Sequence, residues 1–275
     1  MQDRSTLGRA LLMVRDLRRR CPWDRVQTRE TIRPYLVEEV FELDHAIAEG
    51  EPAAIREEVA DLLLHLAWQL VLGEERGEFT PEEVATDLER KMRRRHPHLF
   101  DLGPRERWEQ LKRREGRQQG VLEGLPPALP SLHLAFRLQE RAASVGFDWP
   151  DLEGPAGKVR EELEEALHAI SASAAGAPPA GPGETGEPVY PPATDAVTEE
   201  IGDLLFAVVN LARKARVQPA TALDAANRKF RERFAGVERL AAARGIDVGT
   251  AGLEVLDGLW GEVKRDGSAA RRLDG

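Results

Sequence analysis

Glu38-Glu39-Val40-Phe41-Glu42 is answered, after fifteen intervening residues, by Glu58-Val59-Ala60-Asp61. On an α-helix, residues three or four apart share a face. Glu38 and Glu39 therefore lie on the side of Glu42, and Glu58 lies beside Asp61. Two such helices paired antiparallel would bring carboxylates together from facing walls. Clustered carboxylates repel one another unless something positive sits between them, and hard divalent cations take oxygen ligands of this kind. The arrangement returns as Glu161-Glu162-Leu163-Glu164-Glu165 and Glu200-Ile201-Gly202-Asp203. Acidic runs ordinarily line solvated helix faces. Here, however, the Glu-x-x-Asp pairs sit among Val59, Leu62, Leu63 and Leu64 and among Ile201, Leu204, Leu205 and Phe206, where uncompensated acid is costly. The whole pattern also occurs twice. Both facts point to two metal centres, and an all-oxygen, highly charged donor set suits Mg²⁺ or Mn²⁺.

Glu42-Leu43-Asp44-His45 and Glu165-Ala166-Leu167-His168 also spell Glu-x-x-His, the signature of di-iron bundles. That site needs two such motifs in one bundle, and each repeat supplies one. A di-iron carboxylate protein is therefore an alternative of lower rank. Cations complete the inventory. Lys91 and Arg95, and again Lys229 and Arg233, stand four residues apart, while Lys112 and Lys264 each follow a tryptophan (Trp108, Trp260) by four. They read either as solvated basic stripes or as grips for a polyphosphate whose charge is shared with a metal ion. Trp108 and Trp260 read equally as core or as a stacking surface for a base. Trp23 and Trp149 are expected in the core.

The elements that must position these residues are helices. The chain has 275 residues, a formal net charge of −9, 41% hydrophobic and 32% charged residues, and one cysteine, Cys21. It is long enough for two small domains. It is acidic enough that nucleic acid is not the expected partner, and no disulfide can form within it. Scattered charges near the N-terminus argue against a signal peptide, and no stretch is long and apolar enough for a membrane span. A cytoplasmic location is expected.

Strand and hairpin signals are nearly absent. The spacing predicts a first helix capped by Ser5, then an extended or turn segment at Cys21-Pro22-Trp23-Asp24. A second helix starts near Thr31, has Pro34 in its first turn, and buries Leu36, Val40, Leu43 and Ile47. A third helix runs over 52–72 on a stripe of Ile55, Val59, Leu62, Leu66 and Leu70. A fourth opens with the capping box Thr80-Pro81-Glu82-Glu83. After a Gly-, Pro- and charge-rich linker at 113–130, the pattern restarts with helices over 131–143, 155–170, 193–216 and 219–243. Within it, 171–193 has 10 Gly or Pro among 23 residues and reads as a flexible insertion. The expected organisation is all-α, with two tandem four-helix domains, 1–112 and 131–275.

Cys21-Pro22-Trp23-Asp24, Glu38-Glu39-x-x-Glu42, Glu58-x-x-Asp61 and Arg94-Arg95-His96-Pro97-His98 resemble the MazG family of nucleoside triphosphate pyrophosphohydrolases. So do Val145-Gly146-Phe147-Asp148-Trp149, Lys158-Val159-x-Glu161-Glu162-x-x-Glu165, Glu200-Ile201-Gly202-Asp203-Leu204-Leu205-Phe206 and Asn227-x-Lys229-Phe230-x-x-Arg233-Phe234. The resemblance implies an all-α, usually dimeric enzyme that cleaves a nucleoside triphosphate to the monophosphate and pyrophosphate with Mg²⁺, keeping the nucleotide pool clean. By carry-over, Glu162, Glu165, Glu200 and Asp203 would hold the metal in the second repeat, and Glu39, Glu42, Glu58 and Asp61 in the first. Lys158, Glu161, Lys229, Arg233, Trp260 and Lys264 would contact nucleotide or phosphates, with Lys91, Arg95, Trp108 and Lys112 in the matching positions of the first repeat. Glu161 or Glu38 would orient the attacking water. The first repeat has Tyr35 where the second has Lys158, so the second is expected to be the main active site. The rival from another class is a dimeric regulator that binds nucleotide without turnover.

Overall fold

A computed structural model of the chain describes residues 5–105, 120–176, 181–182, 188–189 and 193–273, and these are overwhelmingly helical. The chain divides into two compact units, 1–111 and 112–275.

In the first unit, α1 (Thr6–Arg20) is capped by the Ser5 hydroxyl, which accepts from the Gly8 N–H. Cys21 is extended, as a residue before proline should be, but Pro22 then opens a one-turn helix, α2 (Pro22–Val26), rather than a turn. Proline suits the first helical position because its missing N–H would have no partner there. The second expected helix begins two residues earlier than predicted. The side chains of Thr28 and Thr31 cap each other's backbone at the start of α3 (Arg29–Glu49), which moves Pro34 from the first turn into the helix body. Gly50, left-handed at φ 78°, ends α3, and α4 (Pro52–Glu75) returns against it. α5 (Pro81–Arg95) carries the expected Thr80/Glu83 capping box. The core joins Val14 of α1, Ile32 of α3, and Ala67, Trp68, Val71 and Leu72 of α4.

The inward faces of α3 and α4 differ from the predicted ones by a fraction of a turn. Val40, Ile47, Val59 and Leu66, expected in the core, are exposed. The inward stripe of α3 is Ile32, Leu36, Glu39, Leu43 and Ala46, and that of α4 includes Glu58, Asp61, His65, Trp68 and Leu72. Apolar residues surround both helices, so periodicity alone did not separate the face that packs within the unit from the face that does not.

In the second unit, α6 (Ser131–Ser144), α7 (Glu153–Gly176), α8 (Asp195–Lys214) and α9 (Pro219–Ala243) follow the prediction, with α7 running six residues further than expected. A further helix, α10 (Gly252–Leu273), was not predicted. Gly252, Gly258 and Gly261 obscure its pattern. α7 pairs extensively with α8, and α6 also lies on α8. α9 packs chiefly on α10, around Val237, Ala241 and Leu259. That approach requires Gly236, because a Cβ there would come within 2.8 Å of Val263.

Of the expected linker, 113–119 lies outside the described residues. Its remainder packs on α6, where Arg141 donates to the Glu123 carbonyl. Of the expected insertion, 177–180, 183–187 and 190–192 lie outside the described residues. Gly181–Pro182 and Pro188–Val189 form a short antiparallel pair.

Candidate metal centres

The α3/α4 hairpin brings Glu39 near Asp61 and Glu42 near Glu58 across the helix interface. Ligand oxygens of Glu39, Glu58 and Asp61 lie within 4.8 Å of one another. On α7 and α8, oxygens of Glu162, Glu200 and Asp203 do the same. Glu42 and Glu165 flank these trios. Three of the four carboxylates carried over for each repeat thus converge, with the fourth alongside.

The electrostatics fit a cation. Partial burial pushes the Glu39 carboxyl above its ordinary range, and the charges of Asp61, Glu42, Glu58 and Glu38 push it further the same way. Glu58 is raised by burial and by Glu42 and Asp61. Glu165 is raised by burial and by Glu162, with Lys158 partly opposing. Convergent carboxylates that destabilise one another's charge are the donor set a divalent ion stabilises.

The units differ around this common core. In the second, Glu162 is only 5% exposed and pairs with Lys158 at 2.5 Å. Lys158 also reaches Glu161 at 2.8 Å, and the hydrogen bonds to Glu161 and then Glu162 raise its pKa well above the usual lysine range. In the first, Tyr35 occupies the matching place and sits edge-on to Trp23, ring centroids 6.4 Å apart. His65 adjoins Glu39 there. The matching position in the second unit is Ala207. His45 and His168, the histidines of the Glu-x-x-His motifs, are exposed.

The remaining candidates are spread out. Glu38 and Glu161 are exposed beside their clusters. Lys91 is exposed and Arg95 half-buried on α5, a helix with no buried residue. Trp108 and Lys112 lie outside the described residues. In the second unit, the Arg233 guanidinium stands over the Trp260 ring at 5.9 Å, and Phe230 lies 5.3 Å from the same ring. Lys229 and Lys264 are exposed on the same pair of helices, α9 and α10. Trp260 is half-buried, both packed and accessible. Trp23 and Trp149, expected in the core, are 54% and 46% exposed.

A cleft of about 600 Å³ on α6 and α8 is lined by Gln139 and Asn210, which sequence reasoning missed, together with Phe147, Trp149 and Phe206. The Gln139 amide donates to the Phe206 carbonyl at 2.8 Å. Nothing in the spacing of a lone glutamine on an amphipathic helix marks it.

Comparison with known proteins agrees with this architecture. Residues 27–100 and 156–237 match the MazG nucleotide pyrophosphohydrolase domain, once in each unit and across both carboxylate clusters. The chain is 37% identical over 262 residues to the nucleoside triphosphate pyrophosphohydrolase of Escherichia coli (strain K12), covering 92% of this chain and 93% of that one. It is 39% identical over 249 residues to the nucleoside triphosphate pyrophosphohydrolase/pyrophosphatase MazG of Thermotoga maritima, covering 89% of each. A Mycobacterium tuberculosis nucleoside triphosphate pyrophosphohydrolase is 32% identical over 162 residues, 56% of this chain and 48% of that one. With two all-α units, each built around one acidic helix pair, the chain belongs to the MazG family.

Proposed function

We propose that the protein is a divalent-metal-dependent nucleoside triphosphate pyrophosphohydrolase, converting a nucleoside triphosphate and water to the monophosphate and pyrophosphate, with the second unit as the principal active site. The observation that carries this is the Glu162, Glu200 and Asp203 cluster with Lys158 held against its buried member.

Glu162, Glu165, Glu200 and Asp203 would hold the ion, and the oxygen-only donor set favours Mg²⁺ or Mn²⁺. When bound, the ion supplies phosphate polarisation and a lowered pKa for a coordinated water. Glu161, exposed beside the cluster, orients the attacking water and accepts its proton. Lys158 can exchange its bond to Glu161 for a phosphate oxygen, since an ammonium donates in several directions. Lys229 and Arg233 neutralise the departing pyrophosphate, with Arg233 steadied against Trp260.

Two further features belong to this reading. The chain acts as a homodimer, because α7 and α8 expose Leu163, Leu167, Ile201 and Leu205, an apolar face that a second copy would cover. It acts on free nucleotides rather than at a membrane or on nucleic acid. In support, no described helix is long and apolar enough to cross a membrane, and the formal net charge is −9.

The test is to incubate the pure protein with each nucleoside triphosphate and Mg²⁺ and to resolve the products. Monophosphate plus pyrophosphate is expected. Diphosphate plus phosphate, or no turnover of any nucleotide, would overturn the reading.

A further inference from the structure

The cleft on α6 and α8 carries two side-chain amides whose orientations are fixed by their partners. Arg213 donates to Asn210 Oδ1 from Nε at 3.2 Å and from Nη2 at 2.8 Å. A guanidinium has donors and no acceptor, so the oxygen of Asn210 must face it. The Nδ2 of Asn210 is then the other end of the amide, and no described residue accepts from it. Gln139 is 7% exposed. Its Nε2 donates to the Phe206 carbonyl at 2.8 Å, which leaves Oε1 enclosed and without a donor. Buried polar atoms are rarely left that way. Both residues line the cleft. One fixed donor and one unsatisfied acceptor suit a ligand whose edge carries an acceptor beside a donor.

The aromatic part of the lining is held in place. Phe147 is 81% exposed and Trp149 46%. Between them Asp148 accepts from Arg213, and Lys214 donates to the Trp149 carbonyl. Exposed aromatic rings are stacking platforms for bases, since every base has a π-face. Asn210 lies seven residues beyond Asp203 on α8, two turns along the same side and about 10 Å by the helical rise. A ribose and its α-phosphate can bridge such a span.

We propose that this cleft takes the nucleobase of the substrate. The ring stacks on Phe147 and Trp149, Asn210 donates to an acceptor on its edge, and the neighbouring N–H donates to Gln139 Oε1. Uracil, cytosine, adenine and guanine each present an acceptor beside a donor on their pairing edge. The site therefore recognises a base as such and favours a nucleotide over a triphosphate without one. Asn210 and Gln139 are specificity residues that touch the base, while the phosphates stay with the carboxylate cluster. This deepens the reading of the second unit as a nucleoside triphosphate site and rests on it.

The experiment titrates the full chain by calorimetry, with Ca²⁺ replacing Mg²⁺ to slow turnover. The ligands are UTP, N3-methyl-UTP, whose edge lacks the N–H, and ribose 5-triphosphate, which lacks the base. UTP should bind about tenfold or more tighter than either. Asn210→Asp keeps an oxygen for Arg213 and turns the Nδ2 donor into an acceptor, so UTP should fall close to the level of ribose 5-triphosphate. Phe147→Ala removes a ring that is mostly in solvent, and it should weaken UTP by a comparable factor. Equal binding of the three ligands by the unsubstituted protein overturns the proposal, and nucleotide cleavage then stands on its own product test. Equal weakening of UTP and ribose 5-triphosphate in both variants makes the cleft residues structural and also overturns it. Selective binding of UTP with no cleavage under Mg²⁺ upholds the cleft and overturns the hydrolase. Binding of none of the three overturns both. If Asn210→Asp fails to fold, Phe147→Ala and the methylated nucleotide decide.

Discussion

The Nζ of Lys158 lies 2.5 Å from Oε1 of Glu162, one helical turn away on α7, and Glu162 is the most enclosed carboxylate of either cluster. A buried acid without a partner is strongly unfavourable, so Lys158 supports the cluster in addition to the phosphate-contacting role proposed for it. Lys158→Ala should therefore have two separable effects. In metal-free protein, the melting temperature of the second unit should fall, and Mg²⁺ should restore much of it by taking over the neutralising role. At saturating Mg²⁺, kcat/KM for a nucleoside triphosphate should still fall by about 10- to 100-fold. Thermal melts with and without Mg²⁺, alongside steady-state kinetics, check both. Unchanged kinetics would remove Lys158 from the substrate site.

The unequal surroundings of the two clusters set a ranking. Glu162→Ala with Glu165→Ala removes two acids from the cluster that has Lys158 beside it, and should lower kcat by about 10³-fold or more. Glu39→Ala with Glu42→Ala removes the matching pair where Tyr35 replaces the lysine, and should lower it by about tenfold at most. Initial rates of pyrophosphate release on the two double variants make the comparison. The reverse order would assign the chemistry to the first unit.

Helix types and most boundaries were legible because capping residues announce them. Thr80/Glu83 and Ser5 cap as predicted, while Thr28 was overlooked in favour of a start near Thr31. The convergence of Glu39, Glu58 and Asp61 followed from their spacing alone. The orientation of the helices did not. Val40 and Val59 were expected inside and are exposed, while Glu39 lies on the inward stripe. A helix apolar on several sides does not declare which side meets its own unit. Trp23 and Trp149 were expected in the core, but aromatic residues with one polar end settle readily at surfaces. Gln139 illustrates the remaining gap: its place in the sequence was plain, but the missing hydrogen-bond partner of its Oε1 shows only in three dimensions.

Trp149 covers the start of α7, and Gly154 is what lets it do so. A Cβ at Gly154 would stand 2.4 Å from the Trp149 ring. Gly154→Ala should displace the indole and destabilise the second unit by about 1–3 kcal/mol, despite alanine's better helix propensity. Combining it with Trp149→Ala should recover part of that loss, because the clash is gone. Denaturant unfolding of the three variants gives a double-mutant cycle. Additive losses would mean that the glycine serves something other than this contact.

Asp148 ties the segment before α7 to the end of α8. Its carboxylate accepts from Arg213 and lies 3.4 Å from the Lys214 Nζ. Burial alone would raise its pKa, but the Arg213 hydrogen bond, the Arg213 charge and Lys214 bring it below the ordinary 3.8. A depressed carboxyl binds fewer protons in the folded state than in the unfolded state around these values. Its contribution is therefore fully present above about pH 4–5 and is lost as pH falls through the folded-state value. Asp148→Asn keeps the shape and removes the charge, leaving a guanidinium whose side chain is only 10% exposed without its counter-ion. The variant should be less stable than the parent by about 1–3 kcal/mol at neutral pH. The two should converge as the pH falls well below 3.8. Urea unfolding followed by circular dichroism across this range measures the difference, and a gap that persists undiminished at the acid end would show that the carboxylate's charge is not what holds the two segments together.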